Sequence, residues 1–135
     1  NREAIASIVF EDGEMLKKLD DIIHPAVKKY ILKEIEKSKK EETEFFFIES
    51  ALLLEEKYDE ICDEMWYIYC EKEVRMERLR HDRGYSDEKI QRMMANQLPD
   101  EEFEARCDLQ LYNDEDVAHT YLQIERKMRT YYEFM

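Results

Sequence analysis

Apolar residues recur at intervals of three and four along the first forty residues, which is the spacing of amphipathic helices. This pattern predicts one helix before a turn at 11–13, with Asn1 as its cap, and a second helix from about 14 to 23. The dipeptide His24-Pro25 is expected to end the second helix, because a proline inside a helix removes a backbone hydrogen bond. Pro25 instead suits the first turn of a third helix.

Two short apolar runs, 45–48 and 65–69, are continuous rather than periodic, which is typical of strands covered on both faces in parallel sheets. Residues 109–112 are a third strand candidate. Helical spacing predicts four further helices, at 73–81, 86–97, 101–106 and 116–132. Strands that alternate with helices imply a parallel sheet, so the predicted fold class is α/β, with short parallel strands and mostly helical content.

The composition narrows the class of protein. The chain has 135 residues, of which 44% are hydrophobic, enough for the core of one domain. A net charge of -13 argues against binding to nucleic acid or to an anionic membrane surface, since both need a basic face. No apolar run approaches the roughly 20 residues of a membrane span. Three cysteines without C-x-x-C spacing indicate reduced thiols and a cytoplasmic location.

A cluster of arginines follows the second predicted strand, in a chain that is otherwise strongly acidic. Its members are Arg75, Arg78, Arg80 and Arg83. A strand that leads into such a cluster is typical of enzymes that hold nucleotide phosphates. The alternative is a solvated helix face on which the arginines pair with nearby carboxylates such as Glu73, Glu77 and Asp82. Arg75 and Arg80 are expected to lie in solvent.

Five segments, in order along the chain, resemble the dephospho-coenzyme A kinase family and extend from Asn1 to about Gln123. They are Asn1-Arg2 with Ile8-Val9-Phe10; Leu19 to Val27, which contains Ile22-Ile23-His24-Pro25; Ile48-Glu49-Ser50-Ala51-Leu52-Leu53-Leu54-Glu55; Arg78-Leu79 with Arg83 to Lys89 and Gln97; and Cys107-Asp108 with Asn113. Each segment alone is a weak signal, and their common order carries the resemblance.

The resemblance implies a P-loop kinase that transfers the γ-phosphoryl group of ATP to the ribose 3′-hydroxyl of dephospho-CoA, with Mg²⁺, in the last step of coenzyme A synthesis. Proteins of this fold hold the phosphates of ATP on a G-x-x-x-x-G-K-[ST] loop. That motif does not occur in the 135 residues, whose two glycines are isolated. We therefore expect an incomplete P-loop-kinase-like three-layer fold, with the phosphate loop upstream of Asn1, and no activity of this chain alone.

The resemblance also implies roles for charged residues. Arg78 and Arg83 would stabilise the β- and γ-phosphates from a closing lid, although Arg83 is displaced by one residue from the family's pattern. Glu49, which follows a predicted strand, would help to order Mg²⁺ or its waters. The alternative for Glu49 is a salt-bridging or cap-like residue beside Ser50.

Further residues are implied to contact the two substrates. His24 and Pro25 would line the dephospho-CoA site, and the alternative for His24 is a residue that caps a carbonyl at a helix junction. Asn113, at the end of the third strand candidate, is implied to lie near the adenine, and its alternative is a turn former. Gln97 is a second nucleotide contact or only the end of its helix.

The predicted organisation is a single partial kinase domain over residues 1–135. It comprises a helical substrate-binding part at 1–43, core strands at 44–72, lid helices at 73–107, and the last strand with the C-terminal helix at 108–135. ATP and dephospho-CoA are the expected partners, and an exposed sheet edge predicts a homo-oligomer. Two alternatives stay open: another small-molecule kinase, and a non-catalytic acidic interaction module derived from a nucleotide-kinase fold.

Overall fold

The computed structural model describes residues 1–133, so the last two residues of the predicted 108–135 segment lie outside it. The helices and strands, in chain order, are α1 (Arg2–Glu11), α2 (Gly13–Lys40), β1 (Trp66–Tyr69), α3 (Lys72–Arg83), α4 (Asp87–Ala95), α5 (Asp100–Arg106), β2 (Leu109–Tyr112) and α6 (Val117–Glu133). The residues form two compact units, Asn1–Glu56 and a second that begins at Lys57. Such units also occur inside one domain, so the predicted single domain and its divisions stay predictions.

Two side-chain caps define the start of the chain. The Asn1 side chain accepts hydrogen bonds from the backbone N–H groups of Glu3 (3.0 Å) and Ala4 (3.3 Å), which begins α1 as the sequence predicted. Asp12 does the same for α2, accepting from Glu14 at 3.0 Å and from Met15 at 3.3 Å. The predicted interruption between the two helices is therefore confirmed, but it consists of the single residue Asp12, since Glu11 and Gly13 belong to the helices.

Helix α2 is continuous over 28 residues, and the predicted break at His24-Pro25 is wrong. Pro25 lies inside the helix, where its missing N–H leaves the carbonyl of Asp21 without its usual helical donor. The helix is nevertheless continuous on both sides of Pro25. The helix continues to a basic last turn, whose lysines face the negative end of the helix dipole.

The sheet of the second unit is parallel, as predicted. Strands β1 and β2 pair in register from Trp66 opposite Leu109 to Tyr69 opposite Tyr112. Asp108 fixes the start of this pairing, because its Oδ2 accepts from the N–H of Met65 at 2.7 Å and its own N–H donates to the Met65 carbonyl at 2.8 Å. Two of the three strand candidates, 65–69 and 109–112, are thereby confirmed.

The third strand candidate, 45–48, is wrong. These residues form no strand, because a strand requires a hydrogen-bonded neighbour and β1 and β2 pair only with each other in the described sheet. The rings of Phe45 and Phe47 instead lie 6.3 Å apart, so part of the apolar character of the run goes into contacts within it.

The four helices predicted after β1 are all present, with ends shifted by a few residues. Gly84 ends α3 in the left-handed conformation (φ 65°), where its N–H donates to the Arg80 carbonyl and that of Tyr85 donates to Leu79. Ser86 caps α4 by accepting from the N–H of Lys89 at 3.2 Å, as predicted. Within residues 1–133, each helix is too short or too polar to span a bilayer.

The buried hydrophobic side chains lie almost entirely in the second unit. They are Tyr58, Met65, Tyr67, Met76, Ile90 and Leu111, and the first unit contributes Leu54. The ring of Tyr67 stacks on that of Phe103 of α5, with centroids 4.7 Å apart. Helices α1 and α2 contain no fully buried residue. The core therefore lies around the sheet and the helices that follow its strands.

Candidate functional site

The carboxyl ends of the two strands lead into loops that lie side by side, at residues 70–71 and 113–116. We call these two loops the carboxyl edge. The N–H of Asn113 donates to the carbonyl of Tyr69 at 2.7 Å, which extends the pairing of the strands beyond their ends. The N–H of Glu71 donates to the carboxylate of Asp114 and joins the loops a second time. Ligands of open α/β sheets bind at such an edge, which makes it the candidate site.

Arg78 connects α3 to the carboxyl edge. Its Nη1 donates to the carbonyl of Asn113 at 2.5 Å, and its Nη2 donates to the carbonyl of Glu115 at 3.2 Å. Nη1 also lies 3.5 Å from Sγ of Cys70. Burial raises the pKa of the Cys70 thiol against the opposing charge of Arg78, and Asp114 adds to the rise. The thiol is therefore neutral near pH 7, and the carbonyls receive the charge-assisted bonds of Arg78.

The side chain of Asn113 is also held. Its Oδ1 accepts from Oγ1 of Thr120, in the first turn of α6, at 2.7 Å. The loop itself is fixed to the start of α6, because Oδ1 of Asp116 accepts from the N–H of His119 at 2.9 Å. With the amide oxygen engaged by Thr120, the Asn113 side chain offers its NH₂ group as a donor to a ligand.

Arg83 and Gln97 do not share the contacts of Arg78 and Asn113. Arg83 is the exposed last residue of α3, and the structure gives it no ion pair with any residue of 1–133. Gln97 follows α4, and its N–H donates to the carbonyl of Met94 at 3.2 Å. No hydrogen bond among the described residues joins either one to Arg78 or Asn113. Their predicted roles stay predictions.

The other arginines divide between solvent and partial burial. Arg80 is exposed and pairs with Asp87 at 2.5 Å, in agreement with its expected place in solvent. Arg75 differs, because its Nε is buried without a hydrogen-bond partner and its Nη1 lies 4.0 Å from Oδ1 of Asp100. The expectation that Arg75 lies in solvent is therefore wrong: its stem is covered.

In the first unit, His24 contacts carboxylates through both ring nitrogens. Nδ1 lies 2.7 Å from Oε1 of Glu56, and Nε2 lies 3.6 Å from Oδ1 of Asp20, one turn earlier in α2. Lys28 donates to the Glu56 backbone carbonyl at 2.8 Å, so two residues of one helix face hold Glu56. Pro25 is exposed. The alternative in which His24 caps a carbonyl at a helix junction is wrong, because α2 has no junction there.

Glu49 is exposed in the segment after 45–48, next to Ser50, whose Oγ accepts from the N–H of Leu52 at 3.1 Å. Within residues 1–133, no group of three or more His, Cys, Asp or Glu side chains is placed to hold a metal ion. The role of Glu49 stays a prediction, as does the expected use of Mg²⁺.

Sequence reasoning missed several residues that shape the carboxyl edge. They are Glu71, Asp114 and Thr120. Asp108 was noted only as part of a motif, and its hydrogen bond with Met65 was not predicted. The spacing of Asn113 and Thr120 contains a usable signal. Asp116, between the two residues, is a typical cap and indicates that a helix begins after it. Thr120, seven positions after Asn113, then falls in the first turn of that helix.

Comparison with known proteins agrees with this description. The dephospho-CoA kinase family model matches residues 1–119. A dephospho-CoA kinase of Aquifex aeolicus is 36% identical over 93% of this chain and 63% of its own length, and one of Streptococcus mutans is 26% identical over 96% and 65%. The chain thus spans slightly under two thirds of these relatives.

Solved structures give the same result. The crystal structure of TT1252 from Thermus thermophilus has a TM-score of 0.77 at 25% identity, covering 96% of this chain and 66% of that one. A dephospho-CoA kinase from Campylobacter jejuni has a TM-score of 0.69 at 25% identity, with 96% and 64% covered. The fold is therefore the mostly helical α/β type of the P-loop-kinase-like proteins. Within that class, the chain belongs to the dephospho-CoA kinase family.

Proposed function

We propose that these residues supply the substrate-binding and lid part of a kinase that transfers the γ-phosphoryl group of ATP to the ribose 3′-hydroxyl of dephospho-CoA. The observation that carries the proposal is the contact between Arg78 and Asn113. These residues come from two separate segments that resemble the family, and they meet at the edge of the sheet where ligands of this fold class bind. The family match over residues 1–119 supports the same assignment.

Phosphoryl transfer depends mainly on the placement of charge, because the protein contributes little covalent chemistry. Arg83, exposed at the end of α3, is the arginine we assign to the β- and γ-phosphates. A lid arginine of this kind is worth roughly 10³–10⁵ in rate. Glu49 is the carboxylate that would help to hold Mg²⁺ or its waters, in the usual arrangement in which substrate phosphates supply other ligands.

ATP binding by these 135 residues is expected to be weak. A G-x-x-x-x-G-K-[ST] loop, which supplies backbone N–H groups to the phosphates, does not occur in the sequence. We expect a dissociation constant for ATP above about 10 μM in titration calorimetry, and no transfer by these residues alone. A tighter value would contradict the proposal that the phosphate cradle is required.

Dephospho-CoA is the ligand that tests the proposed substrate. At about 1 mM dephospho-CoA, the upper end of typical substrate KM values, we expect a rise in melting temperature. Cytidine and uridine monophosphates at the same concentration should give no rise. The variant His24→Gln should reduce the effect if His24 lines the site.

The same experiment separates the alternatives. Stabilisation by the monophosphates and not by dephospho-CoA would indicate another small-molecule kinase. No stabilisation by any of these ligands would favour a non-catalytic interaction module. Either result contradicts the proposed substrate.

Self-association through the sheet is a further part of the proposal. The described sheet has two strands, so each has one unpaired edge, and the side chains of Ile68 (52% exposed) and Tyr112 (48%) are open on the faces of the sheet. We expect light scattering to give a mass that rises with concentration. A constant mass of 16.6 kDa up to about 1 mM would contradict self-association.

A further inference from the structure

The position of Arg78 raises the question of what its charge does. The sequence predicted a contact with ATP phosphates, but both terminal nitrogens of the guanidinium already donate to the protein backbone. The two acceptors are carbonyls of one loop, Asn113 and Glu115. A planar guanidinium donates from both nitrogens at once, whereas the single ammonium of a lysine does not span two acceptors in this way.

The same loop is held from two other directions. Thr120 of α6 donates to the amide oxygen of Asn113, and the N–H of Glu71, after β1, donates to Asp114. Arg78 adds the only described contact from α3 to this loop among the hydrogen bonds of residues 1–133. Holding a ligand-binding group within a fraction of an ångström of its working position is how protein scaffolds raise affinity and rate.

We propose that Arg78 is a positioning residue, which sets the loop 113–116 so that Asn113 presents its NH₂ group to the adenine. The inference rests on the proposed function, because it takes the adenine to bind at the carboxyl edge. It moves the phosphate role to Arg83 and gives Arg78 a role in base binding.

Adenosine is the probe that separates the two roles, because it has the base and no phosphate. We would titrate the ¹⁵N-labelled 135-residue chain with adenosine and follow the amide signals by NMR. The wild-type chain should show shifts at residues 113–116, with a dissociation constant on the order of millimolar. Arg78→Gln should weaken adenosine binding roughly tenfold, because the loop loses two charge-assisted bonds.

Two more variants make the result specific. Arg78→Lys keeps the charge and one bond, so its affinity for adenosine should fall between those of the wild type and Arg78→Gln. Arg80→Gln is the matched control, since Arg80 lies on the same helix and pairs with Asp87 away from the loop. Its adenosine affinity should equal that of the wild type.

Three results would overturn the inference. The first is that Arg78→Gln binds adenosine as tightly as the wild type does. The second is that Arg80→Gln loses as much adenosine affinity as Arg78→Gln. The third is that adenosine causes no shifts at residues 113–116 of the wild type. If Arg78→Gln does not fold, Arg78→Lys decides, and wild-type affinity in that folded variant overturns it. Dephospho-CoA stabilisation is measured separately, so the proposed substrate can stand when the role of Arg78 fails.

Discussion

The two compact units differ in what they bury. Helices α1 and α2 of the first unit contain no fully buried residue, and large apolar side chains such as Ile8 are exposed along them. The second unit contains six of the seven buried hydrophobic side chains, among them the fully buried Ile90 and Leu111. Its residues also meet over long stretches of sequence, as Asp108 does with Met65.

This difference teaches where the stability of each unit comes from. In α1 and α2 it comes mainly from local terms, namely the caps at Asn1 and Asp12 and the helical hydrogen bonds, with the contacts of His24 and Lys28 to Glu56 added. In the second unit it comes from burial and from contacts distant in sequence. Substitutions of similar chemistry should therefore have unequal effects in the two units, and four pairs of substitutions test this directly.

The largest difference is expected between two isoleucines. Ile90→Ala removes a side chain that is 0% exposed and should lower the free energy of unfolding by about 2–5 kcal/mol. Ile8→Ala, at 56% exposure, should change it by less than about 0.5 kcal/mol. Urea unfolding followed by circular dichroism measures both. Equal losses would contradict the contrast between the units.

The next effect has the opposite sign. Pro25→Ala restores the helical hydrogen bond to Asp21 and should stabilise α2 by up to about 3 kcal/mol. Slower hydrogen exchange of the neighbouring amides would show it, together with weaker dephospho-CoA binding if Pro25 lines the site. The control is Pro99→Ala, because Pro99 lies at the cap of α5 and not inside a helix. Similar gains in both variants would count against the explanation.

A smaller effect depends on pH and concerns Glu64, before β1. Its carboxylate accepts from Lys127 (2.8 Å), Trp66 (3.0 Å) and the hydroxyl of Tyr131. Burial alone would raise its pKa, but these donors outweigh burial and hold the pKa below its usual value of 4.5. The folded state therefore binds fewer protons than the unfolded state in acid. The stabilisation is present above pH 4.5 and is lost as the pH falls through the lowered pKa.

The variant Glu64→Gln tests this link. It should lower the unfolding free energy at pH 7 by about 1–2 kcal/mol and flatten the acid limb of the stability curve. Glu36→Gln is the control, since the one ion pair of Glu36 within residues 1–133 is an exposed pair with Lys39 at 3.5 Å, and its effect should be close to zero. An unchanged acid limb in Glu64→Gln would contradict the assignment.

The smallest expected effect concerns the two glycines. Gly84→Ala places a side chain at φ 65° and should cost about 1 kcal/mol, although no atom lies within 4 Å of the added methyl group. Gly13→Ala begins α2 in open space and should be neutral or slightly stabilising. Thermal unfolding of the pair measures the difference. A gain for Gly84→Ala would show that the left-handed turn does not matter.

The sequence predicted those parts of the fold that depend on neighbouring residues. The strands at 65–69 and 109–112 and the caps at Asn1 and Ser86 are confirmed, since each depends on a short run of residues. The break at Pro25 and the strand at 45–48 are wrong for the opposite reason. Whether a helix tolerates a proline, or a strand finds a neighbour, depends on surroundings that a local pattern does not encode.

The candidate site shows the same limit. The sequence selected Arg78 and Asn113 through separate motifs, but their contact joins residues far apart in the chain. The acceptor of this hydrogen bond is a backbone carbonyl. Every residue has a backbone carbonyl, so the residue types in the sequence do not indicate this contact. The hydrogen bond from Thr120 is equally difficult to predict, because it depends on where the loop places the side-chain amide of Asn113.

The attachment of Arg78 also decides where a lid can bend. A helix that donates to two carbonyls of a neighbouring loop cannot swing outward without breaking both bonds, so α3 moves with the carboxyl edge. The first residue after Arg78 that can act as a hinge is Gly84, whose backbone already adopts the left-handed conformation. A closing movement within 73–107 would then carry α4 over a stationary α3, because α5 is held to β1 by the stacking of Phe103 on Tyr67. The burial of Ile90 sets the resistance to that movement.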